Sequence, residues 1–129
     1  MRVLSTDAAP PPFSAYAQGV EIGAGARQIT VAGQVGMTPE GVLVVDARGQ
    51  HRQAWANVAA ILAAGGMTVS DITEIIGIVT GSEGVALFRE ERERALGPHL
   101  AAATLIVAGL AHPDWQVEIM VRAARAVDG

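Results

Sequence analysis

The chain has 129 residues and a mass of 13.3 kDa, the size of one ordinary domain. Half of the residues are hydrophobic and 17% are charged, which excludes intrinsic disorder. All nine basic residues are arginine, cysteine is absent and the formal charge is −4, so Schiff-base lysines, P-loops, thiol nucleophiles, disulfides and Cys-ligated metals are excluded.

A mildly acidic chain with five aromatic side chains lacks the basic footprint and stacking platforms of a nucleic-acid binder. The opening MRVLSTDAAPPP has no apolar core of signal-peptide length. No apolar run approaches the roughly 18 residues of a membrane span. The expectation is a soluble cytoplasmic protein that engages neither nucleic acid nor membrane.

Residues 1–15 read as loop, with Pro10, Pro11 and Pro12 removing three amide donors. From Tyr16 onward AQGVEI, RQITVAGQV and GVLVV read as short strands, broken by turn chemistry at GAGA (23–26) and MTPEG (37–41). Residues 51–64 have helical period, with Trp55, Val58, Ile61 and Leu62 on one stripe and Gly65-Gly66 as the stop. ITEIIGIVT (72–80) is apolar at nearly every position and reads as a strand covered on both faces. Two helices suffice for one face, so self-association is the economical cover for the other.

A second helix fits 83–96, capped by Ser82 and closed by Gly97-Pro98, with Val85, Phe88 and Ala95 inward. Its charges pair at i,i+4 as Glu90–Arg94 and Arg89–Glu93, the pattern of a solvated helix face. The last third reads as two strands, AATLIVAGL and WQVEIMVRAA, joined by a turn at His112-Pro113-Asp114. In the final strand Trp115, Val117, Ile119 and Val121 share one face, and Gln116, Glu118, Met120 and Arg122 share the other. The fold class is α+β: a single domain over residues 1–129, in the order βββ-α-β-α-ββ, with both helices on one face of a six-stranded mixed sheet.

Few polar groups look out of place. Glu118 stands in mid-strand among apolar neighbours, and two readings remain for it. It is an ordinary exposed strand residue, or a carboxylate buried at a subunit contact and suited to proton transfer. Tyr16, the only tyrosine, is either a packed edge residue or a ligand contact. His51, His99 and His112 have no partners at metal-ligand spacing and read as surface residues. The glycines of VAGQVG lack a lysine and a following helix, so they form no phosphate loop, and no serine elbow occurs.

SAYAQGVEI, ITVAGQVGMTPEG, QAWANVAAILAAGGMTVSDITEIIGIVT and the VEI around Glu118 resemble the Rid family, YjgF-like reactive-intermediate deaminases. The likeness runs from about residue 13 to 124. The resemblance implies a chorismate-mutase-like fold, a homotrimer with small-molecule clefts between subunits, and cofactor-free, metal-free hydrolysis of enamines and imines to keto acids and ammonia. It also implies roles by position. Tyr16 matches the family's pocket tyrosine, Gly33 and Gln34 its Gly-Gln turn, and Glu118 its water-holding glutamate.

The substrate-gripping arginine does not match. The family's Pro-x-Arg stretch falls on Leu100-Ala101-Ala102-Ala103, which puts Ala102 in the arginine's place, with Thr104 at the small polar position that follows. Truncating one side of a buried charge pair costs about 2–5 kcal/mol, of order 30- to 3,000-fold in binding a carboxylated imine. The expectation is an enzyme with altered substrate range and weak or no activity on 2-iminopropanoate. Arg89 is the candidate replacement, against its plainer reading as an exposed partner of Glu93. The alternative is a non-catalytic homotrimer that binds a metabolite. A ribonuclease reading is disfavoured by the −4 charge.

Overall fold

The computed structural model describes residues 1–127. In chain order the elements are β1 (Arg2–Leu4), β2 (Gly19–Glu21), β3 (Arg27–Val35), α1 (Ala47–Ala64), β4 (Ile72–Val79), α2 (Gly84–Leu96), β5 (Ala102–Val107) and β6 (Val117–Arg125). They make two sheets, not one of six strands. β1 and β2 form an antiparallel ribbon, and the others form a four-stranded sheet in the order β3-β6-β4-β5. Only β4 and β5 run parallel, which requires a crossover, and α2 supplies it.

Two sequence expectations fail in the first third of the chain. Arg2–Leu4 is a strand rather than loop, because β2 offers it a partner before the prolines begin. GVLVV is not a strand: the turn at Thr38–Gly41 folds it back for a single bridge between Met37 and Leu43. Asp46 then ends the segment by accepting from Gly49 N at 2.8 Å, which starts α1 four residues earlier than its periodicity indicates. Left without a partner strand, Val45 is 88% exposed.

Both helices pack on one face of the larger sheet. α1 contributes Ala54, Trp55, Val58 and Leu62, and β4 and β6 contribute Ile72, Ile75, Val79, Val117, Ile119 and Val121. Ile61, expected on the inner stripe, is 39% exposed. Phe88 of α2 is fully buried against Gly77, where any Cβ would collide with its ring. The other sheet face carries Ile76, Ile78, Glu118 and Met120, all half-buried, beside exposed Thr104 and Ile106. Among the described residues no helix covers it, so within one chain β4 is sealed on one face only. Among the described residues no helix is long and apolar enough to cross a membrane.

The charge run on α2 is not simply a solvated face. Glu91 is buried and draws Arg48 Nη1 to 2.7 Å and Arg52 Nε to 3.2 Å, while Glu90 pairs with Arg48 at 2.9 Å instead of with Arg94. Burial pushes the Glu91 carboxyl up, but hydrogen bonds from Arg48 and Arg52 outweigh it and hold it below the ordinary range.

His51 is buried as well, contrary to the surface reading, because the early helix start turns it inward, edge-on to Phe88 at 6.0 Å. Burial lowers its pKa to about 4, against the pull of Glu91 and with help from Arg48. The unfolded chain therefore binds the extra proton between pH 6.5 and 4, and stability falls as pH drops through that window. Wild type should lose about 2 kcal/mol more than His51→Leu between pH 7 and pH 5, read from urea midpoints. Equal losses in the two proteins would remove His51 as the cause.

Candidate functional site

Glu118 lies in β6, paired with Val35 on one side and Ile78 on the other. Between Val31 and Gln34 the β3–β6 register slips, so Ala32 and Gly33 together face Met120. The bulge sets Gly33 against the Glu118 carboxylate: a Cβ there would fall inside contact distance of Oε2 and 2.8 Å from Cδ. Any larger residue here would push the acid out of this position. Gln34 Nε2 donates to Ala32 O at 3.0 Å, tying the bulge. Gly33 and Gln34 also line a cavity of about 420 Å³ with Met37, Pro39, Asn57 and Ile61. Asn57 Nδ2 donates to Val35 O at the end of β3, at 3.3 Å, and to Met37 O just beyond it, at 2.8 Å, fastening this segment to α1.

Tyr16 sits elsewhere. Residues 14–17 run along the free edge of β5, where Ala17 N donates to Ala101 O at 2.9 Å. Tyr16 Oη accepts from Phe13 N at 3.1 Å, and the Arg92 guanidinium lies 5.8 Å from the centre of its ring. Tyr16, Ser14, Arg89, Arg92 and Ala103 line a cavity of about 140 Å³ on the helix side of β5. Ala102 and Thr104 alternate with Ala103 and so face the opposite way, with Glu74 and Ile76 as their β4 partners.

Arg92 is the residue the sequence reading missed. It is 3% exposed and makes no ion pair among the described residues, and its Nε is buried without a partner. The signal was available: Val85, Phe88, Arg92 and Ala95 recur at helical spacing, which puts the arginine on the inner stripe.

The structure thus groups Gly33, Gln34 and Glu118, and separately Tyr16 with Arg89. β3 and β5 are opposite edges of the sheet, three strand steps or about 14 Å apart. Ala102 shares its row with Glu74 and Arg122, whereas Glu118 shares a row with Ile78 and Ile106. Glu118 and Ala102 are therefore about 10 Å apart across the strands and about 13 Å along them. One small ligand cannot touch all these groups within one chain. Among the described residues no cluster of three or more His, Asp or Glu side chains is placed to hold a metal ion.

An α+β fold with two helices on one sheet face, and an acid seated on a glycine bulge of the other, is the architecture of solved Rid-family proteins. YyfB of Yersinia pestis, from the conserved Rid protein family, superposes with a TM-score of 0.83 at 28% identity over 96% of this chain and 98% of that one. TdcF of Escherichia coli, solved with bound serine, gives a TM-score of 0.72 at 27% identity over 98% and 100%. The profile of the endoribonuclease L-PSP family matches residues 6–125, and the chain belongs to that family. A 2-iminobutanoate/2-iminopropanoate deaminase of Escherichia coli (strain K12) is 29% identical over 128 residues, 96% of this chain and 98% of that protein.

Proposed function

We propose that this protein hydrolyses imines or enamines in a cleft formed between copies of the chain, assembled as a homotrimer. Glu118 holds and activates the water that attacks the imine carbon, and Tyr16 orients the ligand. Gly33 and Gln34 supply the backbone wall beside the acid. No resident metal or cofactor is invoked, since protonation of nitrogen and attack by water suffice for the step.

The observation that carries this reading is the carboxylate on the helix-free face, held against the Gly33 bulge and surrounded by Ile76, Ile78 and Met120. A monomer leaves that apolar face unprotected, and a second copy would both cover it and bring a β5 edge towards Glu118. The activity named for the E. coli relative, and the serine bound by TdcF, support a small amino-acid-derived ligand. The −4 charge speaks against RNA as the substrate despite the family's name.

Ala102 narrows the substrate range. A protein without a guanidinium at that position should turn over 2-iminopropanoate weakly, and Ala102→Arg should raise ammonia release by about 30-fold or more. Steady-state ammonia release from freshly generated 2-iminopropanoate compares the two. A gain in the variant means that water activation is intact and recognition has changed. No release from either protein, or from a wider panel of imines, would favour the non-catalytic metabolite-binding trimer.

A further inference from the structure

Two buried charges on α2 are treated in opposite ways. Glu91 is enclosed by arginines, whereas Arg92, the next residue, is buried and makes no ion pair among the described residues. Of its three guanidinium nitrogens only Nη2 has a partner among the described residues, Ser14 Oγ at 2.9 Å. Burial lowers the Arg92 pKa, and the charge of Arg89 pushes it the same way against Glu93 and Tyr16. A desolvated cation with unused donors beside a cavity is costly unless something negative enters.

We infer that Arg92, with Arg89, Ser14 and Tyr16, forms a binding site for the carboxylate of a small organic acid, read from α2 rather than from strand β5. The guanidinium offers the planar fork that a carboxylate matches with two parallel hydrogen bonds. Arg89 adds a second positive charge at the rim, and the Tyr16 ring holds the guanidinium plane. Phe13, Ala103 and Leu105 make the remaining wall apolar, which suits an alkyl tail and offers nothing to a phosphate. At about 140 Å³ the cavity admits only a handful of water-sized groups, the bulk of a roughly three- to five-carbon acid.

The inference rests on the proposed function only in taking Tyr16 as a ligand-facing residue. It adds an acid-binding group on the helix side of β5, apart from the strand position held by Ala102. In this site Arg89 contributes from the rim, and Arg92 is the principal cation.

The test is calorimetric titration and thermal shift with propanoate, 2-oxobutanoate, propanamide and inorganic phosphate. Both acids should bind saturably and raise the melting temperature, while propanamide should do neither. Arg92→Met should weaken propanoate by about 30-fold or more, Arg89→Ala by less, and Glu118→Gln not at all. Ala103→Glu leaves Arg92 in place and sets a carboxylate inside the cavity, so it should raise the melting temperature and abolish propanoate binding. Equal binding of propanamide, unchanged affinity in Arg92→Met, or propanoate binding that survives Ala103→Glu would each overturn the site. Phosphate binding more tightly than both acids would overturn the carboxylate assignment. Propanoate binding without ammonia release from any imine would sink the hydrolase reading and leave this site standing; imine turnover without acid binding would do the reverse.

Discussion

Replacing Glu118 by glutamine is expected to lower ammonia release by on the order of 10²–10⁴-fold on whichever imine the wild type turns over best, with folding stability unchanged within about 1 kcal/mol. Glutamine keeps the shape that rests against Gly33 and the strand pairing to Val35 and Ile78, so packing is preserved. What disappears is the ability to take a proton from water as it attacks the imine carbon. Steady-state kinetics should show the loss mainly in kcat, because no ligand contact is removed. Activity of Glu118→Gln within threefold of wild type would mean that another group performs the chemistry.

The second large effect is structural. Phe88→Ala should destabilise the fold by about 3–5 kcal/mol, visible as a fall in Tm of about 10 °C or more. Phe88 is fully buried and fills the notch that Gly77 leaves in the middle of β4, so α2 can lie directly on the sheet. Removing the ring opens a cavity that the flanking strands cannot collapse into. Gly77→Ala disturbs the same contact from the other side, by overpacking, at about 1–3 kcal/mol. The two changes should couple, with Gly77→Ala costing less in the Phe88→Ala background. Denaturant midpoints for the two single variants and the double variant decide it, and strict additivity would break the proposed contact. Because α2 also carries Arg89 and Arg92, a shift of this helix should weaken propanoate binding as well.

Much of the candidate site could be read along the chain. Glu118 stood out because a charge at mid-strand among alternating apolar residues violates the local pattern, and the pattern is a property of neighbours in sequence. Family likeness then attached a role to it and to Tyr16, Gly33 and Gln34. Arg92 went unread although its spacing from Phe88 marked it as inward, because a run of alternating charges reads as a wet surface. His51, expected at the surface, is buried for a related reason: the helix begins at an Asp46 cap that its apolar stripe does not signal.

What the sequence by itself determined is therefore local: the two helices, most strand positions, the acid in β6, and membership of a family through its glycine-bearing segments. Only the tertiary structure decided the division into two sheets, the strand order that puts β3 and β5 at opposite edges, and the burial of Arg92 with no ion pair among the described residues. Helical and strand periods arise from contacts a few residues apart, which the chain writes out directly. Sheet order and the surroundings of a buried charge come from residues distant in sequence, here Arg92 of α2 against Ser14 and Tyr16, whose meeting depends on the pairing register of every strand between them.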